Sequence, residues 1–215
     1  MRVLSVNVGL PQEVEWNGQH IMTGVFKTPV SGPVRVGTLN LEGDGQADLS
    51  VHGGITKAVY IYPSEHYAFW RAELPETALP WGMFGENLST EGLAEDEVQL
   101  GDEYRIGTVR LRVTEPRMPC YKLGIRFQRP DIVKRFLKSE RTGFYLAVLR
   151  EGRLQAGDAI VRVRQRSQSV AVSDVTRLYA SERENLELLQ RVVAVDTLGD
   201  SWQQYFLHRL EKLAP

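Results

Sequence analysis

The chain changes its apolar period near residue 170, and that change limits what it can fold into. Up to about residue 165 it is a series of short runs in which apolar and polar residues alternate, cut by glycine. "VLSVNV" alternates with a period of two, the spacing of a strand with one face inward. "EVEWNGQHIMTGVFK" holds Asn17-Gly18 between strand-like flanks, a hairpin signal because both turn positions favour positive φ. "GPVRVGTLNLEGDGQADLS" continues in short glycine-cut runs, and "KAVYIYP" is a compact β-branched and aromatic strand. Ser64 is placed to cap a helix through "EHYAFWRAEL" that ends near Pro75. "YRIGTVRLRVTEPR" reads as the clearest strand, with Val109, Leu111 and Val113 on one side and Arg110 and Arg112 on the other. "DIVKRFLKSE" reads as a short helix capped by Asp131, and "GFYLAVLREGRLQAGDAIVRVRQR" as a hairpin turning at Glu151 and Gly152. Many short strands at close spacing predict a barrel or a sandwich.

Beyond residue 170 glycine is scarce and the spacing is helical. Ser181 with Glu184 has the pattern of a capping box. Leu186, Leu189, Val192 and Val193 fall on one face, and Trp202, Tyr205, Phe206, Leu210 and Leu213 form a second apolar stripe whose expected role is packing. With "VSDVTRLY" this makes three helical segments. The expected division is a β domain over residues 1–168 and a three-helix extension over 169–215.

Charge and cysteine usage exclude several functions. The net charge is −1 over 215 residues, without the basic excess of a nucleic-acid binder, so no nucleic-acid partner is expected. No stretch approaches the roughly 20 apolar residues needed to span a bilayer, and "MRVLSVNVGL" lacks the apolar core of a signal peptide. A single cysteine cannot form an internal disulfide, which fits a reducing compartment. The expected location is the cytoplasm, with no membrane partner.

That cysteine, Cys120, sits in "EPRMPCYKL". Pro116 and Pro119 fix their own φ and push the preceding residues toward extended geometry, so the loop should be stiff. Arg117 and Lys122 place positive charge nearby in sequence, and cations favour the thiolate, which is both the nucleophile and the metal ligand. Two readings stand: a buried cysteine acting as a small hydrophobe, or an activated thiol. A second cluster is "DLSVHGGITKAVYIYP". Gly53 and Gly54 leave the backbone free to approach a ligand, with His52 and Lys57 on either side, and exposed backbone N–H groups beside a lysine suit an anion such as phosphate. The same residues also suit a tight turn with a solvated lysine. A third stretch, "WGMFGENLSTEGL", forms a polar, flexible joint in which Asn87 either bonds a ligand or closes an Asx turn. Arg126, Arg129, Lys134 and Arg135 make a basic face, either solvated or open to an acidic electron-transfer partner.

Taken in order, Asp48-Leu49-Ser50-Val51-His52-Gly53-Gly54 with Lys57-Ala58-Val59, Phe84-Gly85-Glu86-Asn87-Leu88, Gly101-Asp102 with Arg105-Ile106-Gly107, and Pro116-Arg117-Met118-Pro119-Cys120 resemble the MOSC domain. This is the family found at the C-terminus of molybdenum-cofactor sulfurases and in stand-alone relatives. The resemblance covers roughly residues 1–165, and the helical tail looks like the extension of the YiiM-like subgroup. It implies a mainly β fold, a distorted closed β-barrel with short helices and a small C-terminal α-helical subdomain. It also implies a molybdenum cofactor of the molybdopterin type, with Cys120 as metal ligand and catalytic residue. His52, Gly53, Gly54, Lys57, Asn87 and Arg117 are its implied cofactor-binding residues. The implied activity is reduction of N-hydroxylated compounds such as 6-hydroxylaminopurine, with electrons from an external donor protein and the tail open to a homodimer contact. Two alternatives remain, a sulfur carrier holding a Cys120 persulfide and a non-catalytic cofactor-binding protein. The aminotransferase-like, pyridoxal-phosphate-type domain of the sulfurases is expected to be absent, which makes a self-sufficient sulfurase the weaker expectation. One cysteine is too few for an iron–sulfur cluster or a closed zinc site, but one soft thiolate is enough where an organic dithiolene supplies the other sulfurs.

Overall fold

The alternating runs become strands in the computed structural model, which describes residues 1–48, 52–166 and 170–213. In chain order they are β1 (Arg2–Val8), β2 (Gln12–Trp16), β3 (Gln19–Thr23), β4 (Thr28–Val30) and β5 (Val34–Val36). A 3-10 turn at Ile55–Lys57 leads into β6 (Val59–Pro63), followed by α1 (Glu65–Glu73), β7 (Leu88–Glu91), β8 (Glu103–Ile106) and β9 (Val109–Pro116). Then come α2 (Tyr121–Phe127), α3 (Ile132–Ser139), β10 (Phe144–Arg150), β11 (Gly152–Leu154) and β12 (Ile160–Arg164). The tail holds α4 (Val172–Ala180), α5 (Leu186–Val193) and α6 (Asp200–Leu213).

Eight strands form one mixed sheet in the order β12-β8-β9-β10-β6-β7-β1-β4, with β6 and β7 parallel and the other neighbours antiparallel. The sheet curls until the start of β1 meets the residues leading into β12. Val3 N–H donates to Asp158 O at 3.0 Å, Gly157 N–H to Val3 O at 2.8 Å, and Arg2 bridges Ala159. What forms of the expected β fold is this mixed sheet, whose β1 side meets residues 157–160 through these backbone hydrogen bonds and the one from Ile160 N–H to Met1 O at 3.1 Å. The Asn17-Gly18 hairpin forms as expected, with β2 on β3 and both turn residues at positive φ.

Three local expectations change. "YRIGTVRLRVTEPR" is two strands, turned by Gly107 and Thr108. Gly107 has φ +55°, and a Cβ there would lie 2.4 Å from Arg153 O, so only glycine fits this turn. The faces of β9 are nevertheless as read, with Val109, Leu111 and Val113 buried and Arg110 exposed. The 144–166 stretch is not a hairpin. β10 lies between β9 and β6, β11 pairs with β5, and β12 crosses to β8. A period of two fixes which face is buried but not which strand is the partner.

The caps also differ. Ser64 and Asp131 occupy N-cap positions without a side-chain capping bond; Asp131 instead holds Arg129 through two 2.7 Å hydrogen bonds. The capping residue of α5 is Asn185, whose side chain accepts from Leu188 N–H at 3.0 Å, while Ser181 ends α4 and donates to Glu140. The buried face of α5 is Leu188, Leu189 and Val192; Leu186 points to solvent. The basic face is largely paired, Arg135 to Glu73 and Arg129 to Asp131.

Two apolar clusters hold the fold. The larger joins strand residues such as Val3, Val36, Leu111 and Phe144 to tail residues Val175, Leu189, Trp202 and Phe206 without a break. The smaller is aromatic. Phe84 stacks on Tyr62 at 4.4 Å, and Trp70 stacks on Phe136 at 5.8 Å. At its edge lies Glu86, fully buried. It accepts from Tyr67 Oη, from Ser89 Oγ at 2.8 Å, and from the N–H groups of Gly82 at 2.8 Å and Phe84 at 3.1 Å. The "WGMFGENLSTEGL" segment is therefore a pinned turn and not a flexible joint.

Candidate functional site

β9 carries the chain out of the sheet to Arg117 and Cys120, and Cys120 is the residue just before α2. The sequence reading missed α2, because it is only seven residues long and holds Gly124. A Cβ at that glycine would lie 3.3 Å from Arg129 O, a tight contact. Arg117 N–H donates to Gly143 O at 3.1 Å, which ties the loop to the start of β10. The Arg117 side chain is buried. Its guanidinium lies 5.5 Å from the Tyr60 ring centre and 5.1 Å from that of Phe136. Burial works against its charge, but Tyr60, Tyr145 and Cys120 outweigh that and hold it cationic.

His52 Nε2 lies 3.4 Å from Cys120 Sγ, although the two are 68 residues apart in sequence. Burial pushes the thiol up. The His52 hydrogen bond, the Arg117 charge and the Lys122 backbone N–H pull it down further, to about 7. Cys120 is half-buried, so the sulfur is reachable. Of the two readings of the cysteine, the structure carries the activated thiol. Alkylation of Cys120 by iodoacetamide is expected to rise with a midpoint near pH 7, against about 8.5 for an unperturbed cysteine. In His52→Ala the midpoint should climb by about one unit or more. An unmoved midpoint would remove His52 from this role.

Cys120 opens into a narrow cleft. Its volume is about 100 Å³. Lys27, Lys57, Arg117 and Lys122 line it, against one carboxylate, Asp44. Asp44 is itself paired with Lys27 and accepts from Asn87 Nδ2 at 2.8 Å. Burial lowers the Lys27 pKa, and the charge of and hydrogen bond to Asp44 oppose that. Two buried nitrogens of residues that line the cleft, Arg117 Nη1 and His52 Nδ1, have no hydrogen-bond partner among the described residues. Buried polar groups are nearly always paired, so orphaned nitrogens beside a cationic cleft suit an anionic ligand.

Of the residues singled out from sequence, His52, Gly53, Lys57, Asn87, Arg117 and Cys120 all line this cleft, brought together from three separate segments. Gly54 is not in its wall; it precedes the 3-10 turn at φ +88°. Leu49, Ser50 and Val51 of the first motif lie outside the described residues. Asn87 spends its amide within the protein, accepting from Tyr60 N–H at 3.0 Å and donating to Asp44, so it shapes the wall. Lys27, Asp44 and Tyr145 were not singled out. Each is an isolated polar residue, Lys27 and Asp44 in loops and Tyr145 on β10, and only the tertiary fold brings it to the cleft. Among the described residues no group of three or more His, Cys, Asp or Glu side chains is placed to hold a metal ion. A metal at Cys120 therefore needs donors brought by another molecule. Nor is any described helix long and apolar enough to cross a membrane.

A curled mixed sheet, an acidic thiol beside an electropositive cleft and a three-helix tail together define the class to which the chain is compared. The MOSC domain model matches residues 48–161, and the YiiM-like, 3-alpha helix domain model matches residues 170–213. The chain belongs to the MOSC family, whose domains are associated in general with the molybdenum cofactor. It is 38% identical over 213 residues to YflK of Bacillus subtilis, an uncharacterized protein, covering 99% of this chain and 96% of that one. It is 35% identical over 182 residues to YiiM of Escherichia coli, covering 84% and 81%. It is also 36% identical over 175 residues to a Gibberella moniliformis protein named a reductase, covering 80% of this chain but 31% of that one. The crystal structure of YiiM from Geobacillus stearothermophilus superposes with a TM-score of 0.81 at 32% identity, covering 97% of this chain and 98% of that one. That of YiiM from Escherichia coli gives 0.79 at 29%, covering 99% and 94%.

Proposed function

We propose that the protein is a molybdenum-cofactor-dependent reductase of N-hydroxylated compounds such as 6-hydroxylaminopurine, with Cys120 as its ligand to the metal. The observation that carries this is the pairing of a thiol at about 7 with two orphaned buried nitrogens in a cleft lined by four cations. The donor set fits the cofactor. A thiolate is a soft ligand suited to a polarizable metal, and a pterin dithiolene brings the remaining sulfurs. The cofactor's phosphate needs the charge that Arg117, Lys57 and Lys122 provide, with Arg117 Nη1 free to donate to it. The reductase name of the Gibberella protein supports the reaction class.

When bound, the cofactor supplies a two-electron reducing centre. The chain's own residues do the rest. His52 holds the sulfur as thiolate through Nε2, Arg117 keeps positive charge beside it, and the Tyr60 and Phe136 rings keep that guanidinium dry. Electrons come from an external donor protein. A Cys120 persulfide carrier is the competing reading, since the same acidic thiol serves it. Elemental analysis of wild-type protein made in cofactor-competent cells separates the two. About one molybdenum per chain is expected; protein without molybdenum but with cyanide-labile sulfur would favour the carrier and sink the reductase.

A further inference from the structure

The turn at residues 141–143 holds Arg117 from two sides. Gly143 O accepts from Arg117 N–H at 3.1 Å. Thr142 O accepts from Tyr60 Oη at 2.8 Å, and the Tyr60 ring centre lies 5.5 Å from the Arg117 guanidinium. Gly143 has φ +65°, and a Cβ there would lie 2.3 Å from Ile61 O, so the turn sits hard against β6. Gly143 N–H donates to a side chain, Glu95 Oε1, at 2.8 Å. Glu95 lies in the turn after β7 and is 5% exposed. Its second oxygen, Oε2, is 2.7 Å from His66 Nε2 on α1. One oxygen therefore holds the backbone to which Arg117 is tied, and the other holds a histidine. The tail braces the same turn. Ser173 N–H of α4 donates to Glu95 O at 3.0 Å, and Thr176 Oγ1 lies 3.4 Å from Thr142 Oγ1. On the other side of the cysteine loop stand Tyr179, Trp202 and Tyr205 of the tail. The sequence reading singled out neither Glu95 nor His66.

We propose that Glu95 and His66 are positioning residues: they lock the 141–143 turn and thereby fix the Arg117 guanidinium in the cleft. A buried carboxylate is costly unless it is bonded, and this one spends its bonds on a backbone N–H and an imidazole, away from the cleft's own cations. Leucine would fill the same space, but only an acceptor holds Gly143 N–H. A guanidinium donates to an oxyanion only within a narrow range of distance and angle, so a displacement of about 0.5 Å in its support weakens the contact. Glu95 touches neither Arg117 nor Cys120 in this scheme and acts through the turn alone. The use made of Arg117 rests on the reading of the cleft as the site of the cofactor's phosphate.

The test needs two readouts on the full-length protein. The first is the Arg117 Nε–H signal in proton–nitrogen NMR, assigned by its loss in Arg117→Lys and displaced from other arginine signals by the Tyr60 and Phe136 rings. The second is affinity for inorganic phosphate, by isothermal titration. In Glu95→Leu the signal should move back toward the ordinary arginine region, and phosphate should bind about fivefold or more weakly, part of what one charge-assisted hydrogen bond supplies. Glu95→Gln keeps an oxygen for Gly143 N–H and should match wild type in both. His66→Leu should move the signal in the same direction by less. In an Arg117→Lys background, Glu95→Leu should change phosphate affinity by less than about twofold, because its effect passes through Arg117. Thermal melting reports whether each variant is folded. If Glu95→Leu does not fold, His66→Leu decides, since that side chain is nearer the surface. A folded variant at either position with an unmoved Arg117 signal would overturn the proposal. So would an undiminished effect of Glu95→Leu in the Arg117→Lys background. Wild type that does not bind phosphate sinks the reading of the cleft, while the NMR signal still decides the roles of Glu95 and His66.

Discussion

Cys120→Ala protein from cofactor-competent cells is expected to hold at least about tenfold less molybdenum than wild type, the least that loss of a direct ligand should cost. N–OH reduction should fall to background, roughly a thousandfold or more, the scale on which single essential groups act. Alanine is the informative replacement, because a serine hydroxyl would leave an oxygen donor in place. The fold should survive: Cys120 is half-buried and its side-chain contact is with His52, so the stability loss should stay below about 1 kcal/mol. Affinity for inorganic phosphate should also survive, since Arg117, Lys57 and Lys122 remain in the cleft. Loss of metal with retained phosphate binding would locate the defect at the sulfur. A variant that keeps both its molybdenum and its activity would remove Cys120 from the coordination sphere.

Glu86→Leu should be the most damaging substitution to the framework around the cleft. The carboxylate satisfies two backbone N–H groups, Gly82 and Phe84, together with the hydroxyls of Tyr67 and Ser89. Leucine fills the space but accepts nothing. Tyr67 has a second acceptor in Pro80 O at 3.3 Å, so two or three donors would be left orphaned. At about 1–3 kcal/mol each, the expected loss is roughly 3–5 kcal/mol and a melting point lower by roughly 10 °C. Glu86→Gln keeps one oxygen for the three donors on Oε1 and loses only the Phe84 contact, so it should cost about 1–2 kcal/mol. Calorimetric melting checks both. Equal stability of Glu86→Leu and wild type would show that the pinned turn does not depend on this carboxylate.

Glu86 also illustrates what the sequence could and could not reveal. Its neighbours Gly82 and Gly85 signalled a turn, but nothing local marked a glutamate as the acceptor that closes it. The burial pattern of β9 was legible because alternation is a property of one segment. The partners of β10 and β12 were not, because pairing is decided by which distant segment presents a matching edge. In the site, Cys120 and Arg117 were legible because prolines and cations crowd one loop. His52 was visible only as a member of a glycine-rich cluster, and its 3.4 Å approach to the sulfur depends on how the 3-10 turn docks beside β9. Lys27, Asp44 and Glu115 had no local mark at all. Each is an ordinary charged residue until the fold buries it.

The apolar cluster that runs unbroken from the strands into α4, α5 and α6 ties two traits together. The same helices that shelter Val98, Leu100 and Leu111 from water also support the aromatic side of the sulfur's surroundings. A drifting tail cannot loosen its grip on the interior without also altering how the thiol is approached. Robustness to heat and selectivity at the sulfur should therefore vary jointly among natural variants of this chain.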